Sequence, residues 1–250
     1  MIQFNSNNLE SAYLLINKLN KSDIPTREIQ NENLSFQDGF KTLSNFWRSR
    51  TIVIGGTIDA SSSAHLASLL DTLKKNLSGV DKNLDVDYGA STRRFKGTLA
   101  RFEAPEEFYN ITHLPYSAEF ICQPFGYGTS DVSFASNDIT AASKNETMTI
   151  QGTYKPNPII TLTFGTSASA SSVVVTNNTT GDAITITTAM VDGDVLIINT
   201  ETKKITLNGI QIDFTGPIPE FAIDDNSLTI DMSGSVIKYD LLISYTPLYL

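Results

Sequence analysis

The sequence predicts a mainly β protein with one helix, a mixed α+β N-terminal domain followed by an all-β antiparallel sandwich or jelly roll. Three observations predict this. The 250 residues are 40% hydrophobic and 18% charged, and strand formers and small polar residues (Val, Ile, Thr, Ser, Asn) are abundant. Such a chain has enough apolar material for cores and is not a disordered one. Only one stretch carries helical periodicity, whereas the C-terminal half reads as short alternating strands separated by turn residues. The length suits two domains of roughly 100–150 residues each.

Texture and charge change together near residue 126. Residues 126–146, opening Gly126-Tyr127-Gly128-Thr129-Ser130, are rich in Gly, Ser, Asn and Ala, which suits a flexible joint and a long connection. The expected organisation is an N-terminal domain over 1–130, a linker over 131–146 and a second domain over 147–250. Residues 1–125 carry 13 basic and 14 acidic groups, and residues 126–250 carry 5 and 13. The balances of −1 and −8 sum to the net charge of −9.

In the first part a β-like opening leads to Thr51-Ile52-Val53-Ile54-Gly55-Gly56-Thr57-Ile58, a strand with a glycine break. Residues 62–78 follow as a helix. Leu66, Leu69, Leu70, Leu73 and Leu77 fall on one face, Ser61 to Ser63 offer capping oxygens, and Lys74, Lys75 and Gly79 suit its end. Strands are expected near 84–88, 92–102 and 116–123. In the second part they are expected at 159–164, 172–176, 183–187, 195–198, 203–207, 210–214, 227–231 and 236–245. In the last, Ile237, Tyr239, Leu241, Ile243 and Tyr245 alternate as one buried face.

The best-defined piece is the hairpin around Asn208-Gly209. Asn-Gly is the preferred two-residue type I′ turn, because both positions need positive φ. The turn sets Leu207 opposite Ile210 and Ile205 opposite Ile212 on one face. The other face pairs Thr206 with Gln211 and Lys204 with Asp213.

Reactive groups do not converge. His65 lies in the helix and His113 precedes Leu114-Pro115; neither has metal-ligand spacing. The one cysteine, Cys122, excludes an internal disulfide framework and sits in an apolar stretch as a buried thiol. Asp192-Gly193-Asp194 and Asp224-Asp225-Asn226 could hold paired carboxylates, but both fall between strands, where such residues serve turns. No cofactor or metal site is read. No apolar run spans a bilayer, and the N-terminus lacks a secretory signal. The acidic, arginine-free second half is poorly suited to phosphate backbones, so specific nucleic-acid binding is not expected. All six arginines lie in the first part. Trp47 with Arg48, Arg50, Arg93, Arg94 and Arg101 is the candidate interface, since large aromatics and arginines anchor protein contacts.

The order of motifs resembles the phage distal tail protein family. Asp192-Gly193-Asp194-Val195-Leu196-Ile197-Ile198-Asn199-Thr200, followed by the Lys203 to Gly209 hairpin, is similar to that family's C-terminal domain. Pro219-Glu220-Phe221 and Asn226-Ser227-Leu228-Thr229-Ile230 resemble its closing segment; where the family carries Pro-Gly before the Asn, this chain has Asp224-Asp225. Asp38-Gly39, Arg50 to Ile58, the leucine helix and Arg94-Phe95-Lys96-Gly97 follow the order of its N-terminal domain. The resemblance implies a ring-forming (belt) N-terminal domain and a galectin-like C-terminal sandwich. It further implies a non-enzymatic virion protein, assembled in the host cytoplasm, that forms a homohexameric ring at the tail tip. That ring would join the tail tube protein to hub or receptor-binding proteins and leave a channel for DNA, with no membrane insertion. The alternative is a carbohydrate-binding or adhesin-type sandwich used in host attachment. A hydrolase built on Asp192, Asp194 or Asp224 is the third reading.

Overall fold

The computed structural model describes residues 2–20, 23–33, 38–105 and 112–250. They form a mainly β protein with one helix, divided into two compact units, Met1–Thr129 and Ser130–Tyr249.

The first unit runs β1 (Ile2–Phe4), β2 (Asn7–Asn8), β3 (Leu14–Asn20), β4 (Arg27–Asn33), β5 (Phe40–Trp47), β6 (Arg50–Asp59), α1 (Ser63–Leu77), β7 (Lys82–Asp87), β8 (Thr92–Glu103), β9 (His113–Cys122) and β10 (Gly126–Gly128). Its main sheet is antiparallel in the order β2-β1-β7-β8-β9-β6-β3. One face carries the core, with Phe4, Ile52, Ile54, Phe95 and Phe120 wholly buried. Helix α1 lies over it as the leucine periodicity requires: Leu73 and Leu77 are buried, and Leu66, Leu69 and Leu70 pack at the margin. Ser62 is the N-cap, its hydroxyl accepting the His65 N–H at 3.2 Å, and the Ser78 hydroxyl donates to the Lys75 carbonyl at 2.7 Å.

Two glycine signals mean something other than flexibility. Gly55-Gly56 does not break β6, which pairs with β3 and β9 straight through it. Gly126-Tyr127-Gly128, expected as a joint, is a strand on the flank of β8, with Tyr127 opposite Arg94. A Cβ at Gly126 would sit 2.8 Å from the Phe95 ring. Both sites need a missing side chain, not a mobile backbone.

The second unit runs β11 (Val132–Ile139), β12 (Ser143–Ile150), β13 (Ile159–Phe164), β14 (Ser169–Asn177), β15 (Asp182–Ile186), β16 (Met190–Val191), β17 (Val195–Asn199), β18 (Lys204–Leu207), β19 (Ile210–Gln211), β20 (Asp224–Val236) and β21 (Tyr239–Tyr245). Two antiparallel sheets, β11-β21-β13-β17-β18-β19 and β12-β20-β14-β15 with β16 beside β14, enclose one core. Inward residues of both sheets meet there, including Leu162, Ile198, Leu241 and Ile243 from one and Val173, Val175, Ile184 and Ile230 from the other. The buried alternation read at Tyr239, Leu241, Ile243 and Tyr245 is present.

The 131–146 linker is replaced by strands. Strand β11 pairs with β21, and β12 with β20 along its whole length. Their outer faces carry Ser, Thr and Asn, and the small polar composition that suggested a linker is that solvent face. Residues 236–245 are likewise not one strand, because the chain turns between Val236 and Tyr239. The Asn208-Gly209 hairpin has the expected register, with Leu207 opposite Ile210 and Thr206 opposite Gln211. Asn208 and Gly209 have φ of 53° and 80°. Its second strand stops at Gln211, so Asp213 lies beyond the ladder and makes no ion pair with Lys204.

Cys122 is buried on β9 against Gly97, whose absent Cβ makes room for the sulfur. Burial pushes its thiol up to about 12, with nearby Arg50 opposing the rise. At pH 8 the thiolate fraction is then on the order of one in ten thousand. Iodoacetamide at that pH is expected to leave the native protein unlabelled for hours and to label it once in denaturant, as read by intact mass. Rapid native labelling would contradict this burial.

Candidate assembly surface

The candidate interface residues fall in four places. Trp47 and Arg48 stand at the base of the β4–β5 hairpin, where Arg27 lies over the Trp47 ring at 4.7 Å and Arg48 pairs with Glu28. Arg50 is 4% exposed, its guanidinium 5.2 Å from the centre of the Phe95 ring; desolvation lowers its pKa, with Tyr88 opposing. Arg93 covers the Tyr88 ring at 4.2 Å beside it. Arg94 points elsewhere, gripping Asp85 on β7 through two 2.8 Å hydrogen bonds that raise its pKa. Arg101 pairs with Glu103 at 2.5 Å in the open. Only Trp47 and Arg48 therefore adjoin the separate β4–β5 ribbon, and Arg50 is part of the fold's interior.

That element was missed in sequence. Strands β4 and β5 form a two-stranded ribbon of their own, joined to no other sheet among the described residues. Ile29, Phe40, Leu43 and Phe46 on it are each more than half exposed. Their spacing matches neither a helix nor a simple strand, because the ladder slips between Gln30 and Asn31 and residues on both faces are exposed. A two-stranded ribbon is at best marginally stable alone in water, and the large apolar side chains left exposed on it form a candidate contact surface.

Two of the carboxylates considered for chemistry, Asp194 and Asp225, hold local structure. Asp194 closes the turn into β17: one oxygen accepts the Val191 N–H at 2.7 Å and the other accepts the Asn208 side-chain amide at 2.7 Å. The Asn208 side-chain oxygen Oδ1 in turn accepts the Val195 N–H at 2.9 Å. The Gly-Asp and Asn-Gly motifs, 14 residues apart, are thus one hydrogen-bonded unit. Asp225 accepts from the Thr149 hydroxyl. His65 packs edge-on against Tyr13, and His113 pairs with Asp59 across β6 and β9.

Residues 151–247, which contain that unit, match the model of the siphovirus-type tail component, C-terminal domain. The second unit is therefore similar to that C-terminal domain. The same fold extends over the whole chain in a solved structure, the Dit (gp 19.1) protein of phage SPP1, described as a paradigm of the hub adsorption apparatus in Gram-positive infecting phages. That match has a TM-score of 0.75 at 15% identity and covers 100% of this chain and 98% of that one. A chain of the phage P2 baseplate in its activated conformation with Ca matches at a TM-score of 0.41 and 10% identity, over 92% and 89% of the two chains. No curated protein matches by sequence. The chain carries a sandwich that matches this C-terminal domain, preceded in sequence by a sheet-and-helix unit that bears the exposed ribbon.

Proposed function

We propose that this protein is a tail component of a long-tailed phage, a non-enzymatic structural protein that closes a homohexameric ring at the distal end of the tail. In this reading residues 1–130 form the ring, and the sandwich is the outward, galectin-like domain. The ring joins the tail tube protein to hub or receptor-binding proteins, leaves a channel for DNA, and is assembled in the host cytoplasm into the virion.

The observation that carries it is the β4–β5 ribbon. Its apolar side chains are left more than half exposed by the described residues of their own unit, and covering them with the next copy makes a heterologous contact that a cyclic ring repeats around its axis. Trp47 and Arg48 at its base are the anchors of that contact. The experiment is light scattering coupled to size exclusion with negative-stain microscopy, on the full chain and on a Phe40→Glu, Phe46→Glu double variant. The wild type is expected at six times 27.3 kDa with visible rings, and the variant as a folded monomer. A monomeric wild type without rings overturns the ring, and rings in the variant overturn the ribbon's role.

A further inference from the structure

The tip of the β18–β19 hairpin carries the chain's sole Asn-Gly pair, Asn208-Gly209, with both residues exposed. We propose that Asn208 is a latent deamidation site, kept as an amide by the Asp194 carboxylate, and that its modification opens the turn irreversibly. This chemistry is independent of ring assembly.

Deamidation at such a pair needs no enzyme. The Gly209 backbone nitrogen attacks Cγ of Asn208, the Cγ–Nδ2 bond breaks, and ammonia leaves with the proton that the Gly209 nitrogen gives up. Water then opens the resulting succinimide at either carbonyl, leaving aspartate or isoaspartate. A glycine in second place removes the side chain that would hinder the attack, and a Cβ built at Gly209 meets nothing within 4 Å. Nothing in the local sequence protects the amide.

The fold supplies the protection from a distant segment. The succinimide ring closes only when the Asn208 side-chain carbon turns onto the Gly209 nitrogen. In the hairpin that side chain is held at both ends by the 191–195 turn instead. Its Nδ2 donates to Asp194 Oδ1 at 2.7 Å, and its Oδ1 accepts the Val195 N–H at 2.9 Å. The Asn208 backbone N–H donates to the Val195 carbonyl at 2.9 Å, so main chain and side chain are fixed to the same segment. Asp194 is anchored in turn, its second oxygen accepting the Val191 N–H at 2.7 Å. Ring closure therefore has to break a charge-assisted hydrogen bond as well as the turn. Asp194 is a positioning residue that holds Asn208 out of reach of its own backbone.

The product cannot restore this arrangement. A carboxylate at position 208 faces Asp194 with no N–H to donate, and two like charges meet where a hydrogen bond stood. An isoaspartate adds a carbon to the main chain, which the two-residue turn cannot hold.

The test follows deamidation at residue 208 of the full-length protein at mildly alkaline pH, by peptide mapping with fragment ions that separate it from Asn226. The native protein is expected to react there at least about tenfold more slowly than the same chain in urea. Asp194→Ala should close most of that gap while keeping its far-UV spectrum. Asp192→Ala removes the turn's other, exposed carboxylate, and Ile184→Val loosens the sandwich core without touching the turn. Both should keep the wild-type rate. Equal rates in native and urea-unfolded protein, or an unchanged rate in Asp194→Ala, overturn the protection. Acceleration by Ile184→Val equal to that of Asp194→Ala assigns it to global stability and overturns it too. Asn208→Asp installs one product directly and is expected to speed hydrogen exchange at the Val195 amide. Unchanged exchange there overturns the opening of the turn.

Discussion

Replacing Asn226 with leucine is expected to cost about 3–5 kcal/mol of stability, the largest loss for any polar position in the sandwich. Asn226 is wholly buried at the start of β20. Its amide nitrogen donates to the carbonyls of Ala222 at 2.9 Å and Asp224 at 3.2 Å, and its oxygen accepts from the Ala222 N–H at 2.9 Å and the Asn177 amide at 3.0 Å. Asn177, equally buried, donates also to the Glu220 carbonyl at 2.6 Å. Leucine is close in volume but satisfies none of these groups, and each buried partner left unpaired costs about 1–3 kcal/mol. The 219–226 segment is not helix or strand until Asp224, so these side chains replace the ladder that would otherwise hold its backbone. They also hold Asp224 at φ +69°, a conformation that aspartate adopts only with support. Urea denaturation followed by circular dichroism measures the loss. A shift below about 1 kcal/mol would show that the network is not what fixes the segment.

What the sequence discloses and what it hides separate along one line. Features fixed by neighbours in the chain were legible. Asn208-Gly209 dictates its own turn and register, and the leucine spacing of 66–77 dictates which helical face meets a sheet. Features fixed by partners far away were not. The motif Asn226-Ser227-Leu228 was visible as a family pattern, but its meaning depends on Asn177, 49 residues earlier. Asp194 reads as a turn residue, but what it holds there is set by Asn208, 14 residues later. The surface of Arg50 is likewise decided by Phe95 and Tyr88, not by the adjoining Trp47 that suggested an interface. The ribbon went unread because its apolar residues answer to a surface outside the chain, and such positions need keep no internal period.

Glycine is where this ambiguity is sharpest, and Gly56 gives the second large effect. Gly56→Ala is expected to destabilise the N-terminal unit by about 3 kcal/mol or more, whereas Gly55→Ala next to it costs about 1 kcal/mol. Both lie in mid-strand on β6, paired with β3 on one side and β9 on the other. At Gly55 the added methyl meets the Lys18 Cβ at 3.2 Å, a contact that a shift of a few tenths of an ångström relieves. At Gly56 it meets the Leu15 carbonyl at 2.2 Å and the Tyr116 ring at 2.8 Å. The register slip in β3 between Ile16 and Lys18, opposite this pair, is what brings the Leu15 carbonyl so close. Relief would require β3 to move away and surrender its ladder to β6. Trimming the ring with Tyr116→Leu removes one clash and leaves the carbonyl, so the double variant should recover only part of the loss. Denaturation midpoints of the four proteins decide it. Equal losses at the two glycines would mean that backbone entropy, not the close approach of β3, sets their cost, and full rescue by Tyr116→Leu would place the whole clash on the ring.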